Sequence, residues 1–355
     1  MNASVTTPST PPPALDTRAV AAKPLWRRIV ATRAAAILLL DVFLFLVFTA
    51  LSNGHVFASV ENMQSLMVAG TEALLLAVGL CMLLGAGIFD LSLGSNLVLS
   101  SVVGATLVHS ISKPAADGLS FGNVGPAIAA GFVACALTGM AFGAINGFLV
   151  AYLQINALIA TLGTLGVGMG LAYVITNGAD ISGLTPDLQK YFGLSTFGPV
   201  PFPAIVALLV AGLLYLVVRY LRFGMRTLAI GSSRSAADRA GIKVTQHLMR
   251  LTVIAGLLAG LAGFFDIAHY ASTAVSGHSN DALNAVTAAV LGGTLLEGGR
   301  ISILGAIWGT ALGVILQGGL VIVGVSSYYQ LIVVGLVLIV AVGLDRVTYL
   351  RRQKA

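Results

Sequence analysis

The sequence predicts an all-α, polytopic integral membrane protein with about ten transmembrane helices, some of them broken. Three observations carry this. Of 355 residues, 57% are hydrophobic and 9% charged, whereas a soluble domain carries roughly a quarter charged residues. The apolar residues gather in runs such as Ala34–Leu51, Leu251–Tyr270 and Tyr329–Leu344, long enough to cross about 30 Å of hydrocarbon. The charges fall between these runs, and the basic ones favour alternate gaps. The formal charge of +6 is therefore a membrane-topology signal and not a nucleic-acid one; lipid is the expected surrounding.

Taken in order, residues 1–33 form a Pro-rich tail without an apolar core, expected to be a disordered cytoplasmic segment and not a signal peptide. A transmembrane domain occupies 34–345. Its spans are expected near 34–51, 64–84, 91–110, 124–145, 156–176, 203–221, 251–270, 283–296, 302–324 and 327–344, the eighth being short. Residues 346–355 form a C-terminal cytoplasmic tail. Ten crossings place both tails, the segment at about 222–250 and Arg300 on one side. That side then holds all but Lys113 and Lys190 of the 19 basic residues, so it is read as cytoplasmic. Eight or twelve spans satisfy the charge pattern equally well. Cys81 and Cys135 fall inside apolar runs and read as packing residues, without a disulfide or metal. The 42 glycines lie largely inside the spans and predict close helix packing.

Four features bear on chemistry. In the basic segment, Ser232 or Ser233 can cap a short helix bearing Ala236, Ala237 and Ala240 on an apolar face, with Gly241 ending it. Composition leaves open whether that helix docks on a partner or lies against lipid headgroups. In Gly85–Asn96, glycines break the helix, and Asp90 is expected to cap the third helix in preference to binding a solute. Asp41, Glu72 and Asp266 lie inside spans, where a charge costs about 2.5–3.5 kcal/mol. No Lys or Arg lies deep enough to pair with them, so hydrogen-bonded or protonated packing sites are favoured over an ion relay. Finally, Asn146, Asn156, Thr161, Thr164, Asn284 and Gln317 suit a hydroxylated solute and serve equally as interhelical glue. There is no phosphate-binding Gly-Lys-Ser/Thr loop, and the five histidines are scattered. Neither a nucleotidase, a metal site nor any other enzyme is expected on this chain.

Four motifs in order carry a family resemblance: Gly87-Ile-Phe-Asp-Leu-Ser-Leu-Gly-Ser95; Asn146-Gly-Phe-Leu-Val-Ala-Tyr-Leu with Ile159-Ala-Thr-Leu-Gly-Thr-Leu165; Gly231 through Gly241-Ile-Lys-Val; and Thr287-Ala-Ala-Val-Leu-Gly-Gly-Thr-Leu-Leu-Glu-Gly-Gly-Arg300. From the second span to the C-terminus the chain resembles the permease subunit of ribose-type (monosaccharide) ABC importers of the bacterial inner membrane. The resemblance implies that Ser233, Ser235, Ala236, Ala237, Arg239, Ala240 and Gly241 dock on a separate ATPase subunit, which binds ATP and Mg; this chain needs no cofactor. It further implies a second permease copy, as a homodimer, and a periplasmic solute-binding protein meeting 176–202 and 271–283. Asp90, Ser92, Ser95, Asn96, Asn156, Thr161, Thr164, Asn284 and Gln317 become candidates for the solute pathway. Ile88-Phe89, Asn156-Ala157 and Gln317 depart from the family pattern and leave the particular sugar open. The alternative is an ion-coupled secondary transporter using Asp41, Glu72 and broken helices.

Overall fold

The computed structural model describes residues 33–113, 121–278 and 280–326, with scattered positions as far as 343. Among these residues, eight helices are long and apolar enough to cross a membrane. They are α1 (Arg33–Leu51), α2 (Val60–Gly85), α3 (Leu93–Ile111), α4 (Val124–Gly147, continued by a π-helical turn Phe148–Tyr152), α5 (Ala157–Thr176), α6 (Phe202–Tyr220), α9 (Val244–Tyr270) and α11 (Ile303–Ile322). Short helices α7 (Arg222–Ser232) and α8 (Arg234–Arg239) lie between α6 and α9, and α10 (Asp281–Leu291) precedes α11. The sheet among the described residues is one antiparallel pair, β1 (Thr196–Phe197) with β2 (Val200–Pro201). The all-α, polytopic membrane architecture is thus present. The tails at 1–32 and 346–355 lie outside the described residues, as does most of the tenth expected span.

The centre of the bundle is α9 with α2, α3 and α4. In the most apolar window of α9 78% of residues are buried, and in α2 72%, against 28% in α5 and 11% in α1. Glycine explains how α4 and α9 meet. A Cβ on Gly139 or Gly143 would strike the backbone of Gly256 or Thr252, and one on Gly256 would strike Gly139 in return. Paired small residues four apart let two backbones touch where lipid supplies no hydrophobic drive for association.

At one end of the bundle, segment 180–184 is laced to 271–275. Leu184 N–H donates to Ala271 O at 3.4 Å and Thr273 N–H to Ile181 O at 2.9 Å. Asp180 Oδ1 accepts from Val275 N–H at 2.8 Å. The opposite end carries α7 and α8.

The eighth expected span, read as short, is made in two parts and not as one helix. α10 has 11 residues, about 16 Å of helix, which cannot cross about 30 Å of hydrocarbon. Gly292-Gly293, with Gly293 at φ +95°, ends it. After α9 the chain turns back into the bundle, so that a Cβ on Gly94, in the first turn of α3, would lie 3.3 Å from His278 O and 3.4 Å from Ala282 N. α10 is a half-helix that completes a crossing begun by an irregular segment from Ala271: it carries the chain to the opposite end of the bundle, where Gly299 N–H donates to Gly85 O at 3.0 Å.

Candidate functional site

Three groups of residues hold the polar chemistry of the chain. The first is the α7–α8 turn. Ser233 is extended and caps α8, its Oγ accepting from Ala236 N–H at 3.3 Å. Gly241 at φ +81° ends the helix, its N–H donating to Asp238 O at 2.9 Å. Ser233, Ser235, Ala236, Arg239, Ala240 and Gly241 are exposed, but Ala237 is buried. Ala237 therefore faces its own protein, and the apolar face read from the sequence is partly used within the chain. An exposed rim remains for a partner.

This turn is tied firmly to the bundle. Thr227 Oγ1 lies 2.8 Å from His247 Nε2 on α9, and the rings of Phe223 and His247 are 4.4 Å apart. Gly231 packs so closely on Gly85 O and Gly299 N that no side chain fits there, and Gly299 N–H donates to Gly85 O at 3.0 Å. The end of α2, the turn after α10 and α7 thus share one backbone junction.

The second group lies where α3 begins. Asp90 Oδ1 accepts from Ser92 N–H at 2.8 Å and from Ser92 Oγ at 2.6 Å. Asn146 Nδ2 on α4 donates to Ser92 Oγ at 2.7 Å and approaches Asp90 Oδ2 at 3.5 Å. Asn96 Nδ2 donates to Gly139 O at 3.2 Å, Ser95 Oγ to Ser92 O at 2.9 Å, and Thr161 Oγ1 to Ala157 O at 2.8 Å.

Asp90, Ser92, Ser95, Asn96 and Thr161 are all buried; the network ties the start of α3 to α4, and Thr161 Oγ1 of α5 lies 3.4 Å from Phe89 O just before α3. The other pathway candidates lie elsewhere. Asn156 is exposed and caps α5, its Oδ1 accepting from Leu158 N–H at 3.0 Å. Thr164 is half-buried, and Asn284 and Gln317 are exposed on α10 and α11. The nine residues therefore do not converge on one cavity. They divide into a closed internal network and a set on open helix faces.

The third group was not legible as a group. Glu72, Asp266 and His278 bring one ligand atom each to within 4.8 Å of one another. His278 Nε2 is 3.2 Å from Asp266 Oδ1, and His278 Nδ1 is 2.6 Å from Asp281 Oδ2. A histidine thus supplies the partner that Lys and Arg do not. Only the His278-x-x-Asp281 spacing is a local signal for this cluster; α2 and α9 meet it through the fold. Asp41 is buried, and neither carboxylate oxygen has a hydrogen-bond partner among the described residues.

The chain is 33% identical over 301 residues to the D-allose transport system permease protein of Escherichia coli, an alignment covering 84% of this chain and 87% of that one. It is 36% identical over 273 residues to the ribose import permease protein of Bacillus subtilis, covering 77% and 80%. With the galactose/methyl galactoside import permease protein of Haemophilus influenzae it shares 28% identity over 319 residues, covering 88% and 94%. No solved structure matches. The sequence profile described as "Branched-chain amino acid transport system / permease component" matches residues 62–342, the stretch that holds α2 to α11, the capped α8 and the half-helix α10, and the chain belongs to that permease family.

Proposed function

We propose that the chain is the membrane-spanning permease subunit of a binding-protein-dependent ABC importer, which passes a monosaccharide or a similar small polar solute through the bacterial inner membrane. The observation that carries the reading is the alignment, over more than three quarters of the chain, with relatives named as ribose and allose permeases. In this reading both termini are cytoplasmic and two copies form the pathway. A periplasmic binding protein meets the laced segments 180–184 and 271–275. ATP and Mg are bound by separate ATPase subunits that dock on the exposed rim of α8. No residue of this chain takes part in a covalent step. Closure of the ATPase pair moves α8, and the Gly231–Gly85–Gly299 junction passes that motion to α2 and to the turn after α10.

Two measurements test this. Mild-detergent purification of the tagged chain from its host should recover an ATPase subunit in near-equal amount. Uptake should stop when ATP is depleted while ion gradients are held. Uptake that persists without ATP would instead identify an ion-coupled transporter.

A further inference from the structure

We propose that Glu72, Asp266 and His278 form a binding site for a divalent transition-metal cation, with Asp281 holding the imidazole in its ligating orientation. The three ligands come from α2, the last turns of α9 and the segment that leads into α10. Their ligand atoms lie within 4.8 Å of one another. One imidazole nitrogen with two carboxylate oxygens suits zinc and the neighbouring first-row dications, whose bonds to such atoms run about 2.0–2.2 Å. Ligand atoms around such an ion stand about 3.3–3.5 Å apart, so a bound cation draws these three closer together.

Two observations go beyond the meeting of two carboxylates. The Asp266 side chain is 0% exposed, yet its Oδ2 has no hydrogen-bond partner among the described residues. A buried acceptor left unsatisfied is destabilising, and a cation among the three side chains satisfies it. The second observation is the orientation of His278. Its Nδ1 is held by Asp281 at 2.6 Å while its Nε2 faces Asp266 at 3.2 Å. Histidines that bind metals donate the other ring N–H to a carboxylate or carbonyl in this way, which fixes the ring and raises its basicity. The cation takes the place of a proton on Nε2. Its binding fixes the start of α10 against α2 and α9, the two most buried helices.

The test uses the full chain, purified in detergent with a histidine-free tag and stripped with a chelator. Zn²⁺ is titrated calorimetrically, and Co²⁺ is followed by its visible absorption. One Zn²⁺ per chain is expected, with micromolar or tighter affinity and a raised unfolding temperature. Glu72→Gln removes a ligand and should weaken binding at least about 100-fold; Asp281→Asn, which leaves all three ligands, should weaken it about 10–100-fold. His278→Asn should abolish the Co²⁺ spectrum. Should that variant fail to elute as a folded species, the other two, both nearly isosteric, decide the matter. Millimolar or weaker Zn²⁺ binding in the unaltered chain, or unchanged affinity in Glu72→Gln, would overturn the site.

Discussion

At the scale of single residues, Asp90 illustrates how a carboxylate is accommodated inside a membrane bundle. It is 3% exposed, and two of its hydrogen bonds come from Ser92, immediately before α3. The side chain thus serves an otherwise unpaired N–H at the start of a helix and accepts the hydroxyl that Asn146 also contacts. Asp90→Ala should cost about 1–3 kcal/mol by leaving Ser92 N–H and the Asn146 amide without this acceptor. Asp90→Asn keeps an acceptor oxygen and should cost less. Thermal unfolding in detergent reads the difference, and equal losses would show that the charge matters more than the hydrogen bonds. Asp41 has no such network among the described residues, so Asp41→Asn should be neutral or stabilising on the same scale.

Elements raise a different question, because what is local in a helix is legible and what is long-range is not. The boundaries of α8 follow from Ser233 and Gly241, a cap and a left-handed stop that act over four or five residues. The inward turn of Ala237 does not follow, because three alanines carry no sign of which one meets the bundle. The half-length of α10 was hidden for a similar reason. Residues 283–296 are apolar enough to read as a short span, and only packing against Gly94 and the backbone of α11 fixes where that helix starts and stops. Likewise Glu72 and Asp266 carry no mark in the sequence of their approach to His278. Two substitutions separate the faces of α8. Ala240→Arg, on the exposed rim, should leave purification and unfolding temperature unchanged while abolishing uptake and ATPase co-purification. Ala237→Arg forces a charge into a site 4% exposed, so it should lower the unfolding temperature first. If Ala240→Arg transported normally, the ATPase would have to dock elsewhere.

For the whole molecule, the uneven burial of its helices matters most. The α4–α9 crossing is closed by glycines in mutual backbone contact, whereas Gly163, Gly166 and Gly170 of α5 have nothing within 4 Å of where a Cβ would stand. Gly166-x-x-x-Gly170 is the spacing that lets two transmembrane backbones approach closely, and among the described residues it meets no helix. Half-buried Thr164 lies on the same helix, and exposed Asn156 caps it. A second copy packed here would bring polar groups of both chains together, and would account for pathway candidates that do not converge within one. Cysteine cross-linking tests this, since Cys81 and Cys135 are buried and unpaired and give little background. Val167→Cys, on exposed α5, should form a covalent dimer on mild oxidation in native membranes. Leu209→Cys on α6, 67% exposed but away from the glycine face, should remain monomeric. The reverse result would place α6 between the copies and leave the glycines of α5 facing lipid. In that case Asn156 and Thr164 would no longer be candidates for the pathway.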